Sequence, residues 1–109
     1  MVDGFIKYVR GVSWWSKHLG FPTPKIVLIA PPNINEQESI KAFKNIFHSS
    51  GPKIAELPSL MSEFAIANKI LFFDSSKIVQ VSPIDGVHLD IEGNHKLGRA
   101  LAQLVKEVL

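Results

Sequence analysis

Phe5, Tyr8, Val9, Val12 and Trp15 recur at the three- and four-residue spacing of one helix face. This predicts a first helix, capped by Asp3 and running to about His18. Gly20, Pro22 and Pro24 then break it. Lys25-Ile26-Val27-Leu28-Ile29-Ala30 is a continuous apolar, β-branched run, the pattern of a strand covered on both faces. Pro31-Pro32 stops it, because neither residue can donate to a ladder. From Asn33 to Ser50 the chain is polar at first and then carries Ile40, Phe43, Ile46 and Phe47, predicting a second helix. Ser49-Ser50-Gly51-Pro52 reads as a break. Leu57, Leu60, Met61, Phe64 and Ala65 make a third amphipathic stripe, with Pro58 placed in its first turn. Ile70-Leu71-Phe72-Phe73 is a second buried-type strand ending at Asp74-Ser75-Ser76. After a loop holding Pro83 and the turn Asp85–Asp90, Ile91, Leu97, Leu101, Leu104, Val105 and Val108 define a C-terminal helix.

The order αβαβα is that of a parallel sheet covered by helices. Two strands are too few for such a sheet, since strands apolar on both faces need neighbours on both sides. The expected architecture is therefore α/β, the second half of a doubly wound domain, with residues 1–109 forming one partial unit.

Composition narrows the function classes. A chain of 109 residues, 46% hydrophobic and 20% charged, suits a core-forming protein of at most one small domain. Without cysteine it has no disulfide and no thiolate metal site, as expected in a reducing compartment. Its net charge is only +2, and the 12 Lys and Arg residues are scattered singly, so nothing favours nucleic acid. No apolar run approaches the roughly 18 residues of a membrane span. Met1-Val2-Asp3-Gly4 lacks a basic segment followed by an apolar one, and the expected location is the cytoplasm.

The chemistry-bearing segment is Asp85-Gly86-Val87-His88-Leu89-Asp90, set just before the last helix. An Asp and a His three positions apart, with glycine between, fit on one tight turn. The carboxylate then faces one ring nitrogen while the other points outward, which is the orienter-and-base half of a serine hydrolase triad. In an open parallel sheet, functional groups gather beyond the carboxyl ends of the strands. Pro31-Pro32-Asn33, Asp74-Ser75-Ser76 and the Asp85–His88 turn all fall there.

Val27-Leu28-Ile29-Ala30-Pro31-Pro32, the strand end Phe72-Phe73-Asp74, and Ser82-Pro83-Ile84-Asp85-Gly86-Val87-His88-Leu89 running into Gly93, Leu97 and Ala100 resemble the SGNH/GDSL hydrolase family. The likeness is closest to its arylesterase-like lipolytic branch and covers roughly the C-terminal half of the family's domain. It implies an ester hydrolase with a flavodoxin-like parallel sheet, no metal and no cofactor. It also implies that Asp85 and His88 are the catalytic Asp and His of the family's final block. The family's nucleophile lies in a Gly-Asp-Ser motif, and its oxyanion Gly and Asn lie in two further blocks. None of these occurs in the 109 residues, and there is no Gly-x-Ser-x-Gly elbow.

The other polar residues have plainer roles. Ser49-Ser50 and Ser75-Ser76 lack a glycine elbow and oxyanion donors, so Ser75, Ser76 and Asp74 are expected to cap a loop. His95, seven residues after His88, is expected on a solvated helix face rather than with Asp85 and Asp90 at a metal. His18 and His48 are expected near helix ends. Trp14-Trp15, with Phe5 and Tyr8, are expected to pack as core and lid of a helix; without the family's N-terminal half, some of them would be exposed and would invite a partner.

Two readings follow. The first is the C-terminal part of an SGNH-type serine esterase acting on a small ester once completed. The 109 residues alone would then be inactive without a partner supplying the serine. The second is a non-catalytic α/β module. Either one predicts association through the Ile26–Ala30 edge, with a second copy or with an N-terminal-half polypeptide.

Overall fold

A computed structural model describes residues 2–109. Helix α1 (Val2–His18) leads to strand β1 (Val27–Ala30). Helices α2 (Glu36–Phe43) and α3 (Ser50–Ala67) carry the chain back to strand β2 (Leu71–Asp74). A 3₁₀ turn (Ser75–Lys77) and a long loop then reach α4 (Ile91–Val108). The strands pair in parallel, with Val27 opposite Leu71 and Ala30 opposite Asp74. The fold class is α/β, a portion of a flavodoxin-like sheet with covering helices.

Each junction has a local cause. Asn35 caps α2 through its side-chain oxygen, which accepts from Glu38 N at 3.3 Å. Lys69 takes a left-handed φ of 55° after α3, and Ile70 N donates back to Ala65 O at 2.9 Å, turning the chain into β2. Asp74 accepts from Ser76 N and Ser76 Oγ at 3.0 and 2.6 Å, closing the 3₁₀ turn. Ser75 is buried and its hydroxyl donates to Ala30 O, tying the carboxyl ends of the two strands together. Asp74 thus caps the turn with Ser76 as its partner, while Ser75 bridges the strands rather than capping. Asp90 Oδ1 accepts from Gly93 N at 2.7 Å and starts α4.

Five expectations need correction. The second helix ends at Phe43, so Ile46 and Phe47 lie in the turns before α3 rather than in α2. Asp3 is inside the first turn of α1, not its cap. The first strand is shorter than Lys25–Ala30, and Lys25 instead donates its ammonium to Val108 O at the end of α4. Ser49–Pro52 is not a break but the start of α3, so Pro58 lies in the helix interior rather than its first turn. The reason is Glu36, whose carboxylate accepts from Ser49 N at 2.5 Å and Gly51 N at 3.2 Å, supplying from α2 the partners that a helix N-terminus lacks. Pro52 fits there because a first-turn N–H has no intrahelical acceptor to lose.

The fifth correction concerns burial. Ala30, Ala65 and Val79 are the fully buried apolar side chains among the described residues. Phe5 packs edge-on against Phe64, at 5.6 Å between centroids, and joins α1 to α3. Trp14 and Trp15, however, are each 57% exposed and Tyr8 71%, so the tryptophans do not enter a core. Phe5, Leu28, Pro31, Leu57, Leu60, Met61 and Phe64 line an apolar groove of about 520 Å³ between α1, β1 and α3. The radius of gyration is 16.3 Å, against about 13 Å for a close-packed chain of this length. The accessible surface is 8032 Å², where a compact monomer of this mass shows about 6,000 Å². Among the described residues β1 has a strand on one side only.

Candidate active site

The loop between the 3₁₀ turn and α4 closes on itself before it does anything else. Ser82 N donates to His88 O at 2.7 Å, and Gly86 N to Ser82 O at 2.9 Å. Ser82 Oγ accepts from Ile84 N at 3.1 Å. At the tip Gly86 has φ of +71°, a left-handed conformation that L side chains rarely adopt. A Cβ there would collide with the Asn35 carbonyl oxygen and come within 2.9 Å of Ser39 N. Gly86 O in turn accepts from Asn35 N at 2.8 Å, so the tip is docked on the start of α2. Asn33–Gln37, Ser76 and Val79–Val81 border a polar cavity of about 480 Å³ beyond the carboxyl ends of the strands.

On this turn Asp85 and His88 meet. Asp85 Oδ2 lies 2.8 Å from His88 Nδ1, and Asp85 Oδ1 accepts from the backbone N–H of His88 and of Val87, each at 2.9 Å. These donors hold the Asp85 carboxyl down at about 2 from its usual 3.8, the His88 N–H acting most strongly, then the Val87 N–H, then the imidazole. At neutral pH Asp85 is therefore a carboxylate, able only to accept. In the neutral ring the proton shared between them sits on Nδ1, leaving the lone pair on Nε2. The His88 side chain is 72% exposed while that of Asp85 is 22% exposed, so the orienter is sheltered and the base faces outward. Such a pair can accept a proton at Nε2 while the carboxylate stabilises the resulting imidazolium.

The remaining candidates fall elsewhere. His95 is exposed on α4, and His18 stacks on Trp14 at the end of α1 with 4.9 Å between rings. His48 Nδ1 stands 3.9 Å from Glu36, beside the α3 cap. No cluster of three or more metal-ligating side chains occurs among the described residues. No helix is long and apolar enough to cross a membrane. Two contributors escaped the sequence reading. Asn35 holds the glycine tip, and the Phe43 ring lies edge-on to that of His88 with 6.2 Å between centroids. Both act across more than forty residues of chain, and no local motif marks them.

No protein-family model and no curated protein matches the sequence. Solved structures do. The aryl esterase of M. smegmatis superposes with a TM-score of 0.81 at 28% identity, over 99% of this chain and 51% of the esterase. A carbohydrate acetylesterase from Sinorhizobium meliloti gives 0.81 at 29% identity, over 99% and 51%. A putative arylesterase from Agrobacterium tumefaciens gives 0.81 at 27% identity, over 99% and 50%. Over nearly its whole length the chain is thus similar in structure to aryl and carbohydrate acetylesterases of the SGNH hydrolase family. It spans about half the length of the solved structures it matches, a share that fits a C-terminal portion of the family's domain.

Proposed function

We propose that this chain supplies the base and its orienter to an ester-hydrolysing site of the SGNH type. The observation that carries the reading is the 2.8 Å contact between Asp85 and His88 on an exposed turn before the last helix. In the assembled site His88 Nε2 takes the proton from a serine hydroxyl as it attacks the ester carbonyl, then returns it to the leaving alcohol. Asp85 keeps the proton on Nδ1 and stabilises the imidazolium. The serine and the oxyanion donors come from sequence outside these 109 residues, since no Gly-Asp-Ser lies within them. The segment that brings them adds beside β1, where a strand edge is free and the apolar groove opens. Substrates are small esters, acetyl or aryl by likeness to the named relatives.

The test is fragment complementation. This chain is mixed with the N-terminal half of the S. meliloti carbohydrate acetylesterase, and hydrolysis of p-nitrophenyl acetate is followed. Turnover is expected in the mixture and lost with His88→Ala; Asp85→Asn should lower it by roughly 10³–10⁴-fold, as a wrong tautomer does elsewhere. Full turnover in a mixture carrying His88→Ala would refute the assignment.

A further inference from the structure

We propose that Phe43 is a positioning residue for His88, fixing the imidazole in the orientation at which Nδ1 meets Asp85. The proposal rests on the reading of His88 as the base and adds to it the group that steadies the ring.

α2 touches the Asp85–His88 turn at both of its ends. At the N-terminal end Asn35 N holds Gly86 O at 2.8 Å and fixes the backbone of the turn. At the C-terminal end the Phe43 ring stands 6.2 Å from the imidazole, with 63° between the planes. That is the separation and tilt of an edge-to-face aromatic pair. Phe43 is half-buried and is itself braced by Phe47, 5.4 Å away at 77°. Its position is therefore set by a second aromatic contact besides the imidazole.

His88 needs such a brace. Its side chain is 72% exposed, and its Nδ1 contact is with one carboxylate oxygen. One hydrogen bond fixes one ring atom but leaves the plane free to swing, and water competes for the same carboxylate. A half-turn about the Cβ–Cγ bond would carry Nδ1 away from Asp85 and put a carbon in its place. An aromatic edge against one side of the ring makes the two orientations unequal. In catalytic terms the contact keeps the lone pair on Nε2 and aimed outward.

Long-range proton–nitrogen correlation spectra of ¹⁵N-histidine-labelled chain test this without any activity. In the native chain the neutral His88 ring should carry its proton predominantly on Nδ1. Phe43→Ala should shift the ratio of the two tautomers toward Nε2–H by roughly 2- to 10-fold, the range that loss of one aromatic pair spans. Phe43→Leu keeps an apolar filler but no ring edge and should give the same shift. Phe43→Tyr should restore the native ratio. If Phe43→Ala does not fold, Phe43→Leu decides alone. A native tautomer ratio in a folded Phe43→Leu chain would overturn the proposal. A native ring lacking the proton on Nδ1 would sink the base reading first, and the role of Phe43 with it.

Discussion

The Asp85 carboxyl is pulled down to about 2 by groups that exist only when the turn is formed. In the unfolded chain it returns to its ordinary value of 3.8. A carboxyl depressed by folding adds stability that is complete above its unfolded pKa and disappears as pH falls through its folded one. Acidification from about pH 4 to about pH 2 should therefore remove this contribution. Denaturant midpoints measured across that window should fall more steeply for the native chain than for Asp85→Asn, the two curves converging at the acid end. At the next position Gly86→Ala combines a left-handed φ with a collision against Asn35. It should cost on the order of 2 kcal/mol in urea unfolding, more than an ordinary Gly→Ala change. The Asp85–His88 pair was legible in the sequence because everything that makes it lies within four residues. The lock on Gly86 was not, because Asn35 comes from 51 positions earlier and only the fold brings it there.

At the scale of elements, the decisive residue is Glu36. It belongs to α2, yet its carboxylate occupies the N-terminus of α3 through Ser49 N and Gly51 N. Glu36→Ala should lower stability by about 1 kcal/mol, as loss of a helix cap does. Amide exchange should speed up first at residues 49–52. The same residue explains why the start of α3 could not be read locally. Ser-Ser-Gly-Pro signals a turn on its own propensities, and only an anion from another helix converts it into a helix start. β1 and β2 were legible because their apolar runs are short and continuous, though each strand is trimmed by one or two residues at its start. Pro58 in the interior of α3 deprives the Ile54 carbonyl of its usual donor. Stripe periodicity hid this, because Leu57, Leu60, Met61 and Phe64 keep one face regardless of the proline.

For the molecule as a whole, the surface of 8032 Å² exceeds that of a compact monomer by about 2,000 Å², more than twice the roughly 800 Å² that one partner buries in a standard protein–protein interface. The apolar groove, the free edge of β1 and the exposed Trp14 and Trp15 account for its character. The chain on its own should bind a hydrophobic dye such as ANS and scatter light as more than a monomer at micromolar concentration. Placing a charge on the edge strand with Ile29→Lys should reduce that association. A monomer that leaves the dye dark would mean that these surfaces are covered from within the same chain. Periodicity left the burial of the α1 aromatics open for a reason at this scale. Helical periodicity names the residues that want cover, but not whether a neighbour is there to give it.

The local closure of the Asp85–His88 turn has a consequence for the order in which the chain folds. Its hydrogen bonds span two to six residues and can form on the time of a small loop, well under a microsecond. The bond from Asn35 to Gly86 must instead close a loop of about fifty residues and waits for α2, α3 and β2. The proton-handling pair is thus assembled before the scaffold that aims it. It should also be the last part of the carboxyl edge to dissolve. Partly unfolded forms would keep carboxylate and imidazole on one closed turn, with nothing holding the direction of the ring.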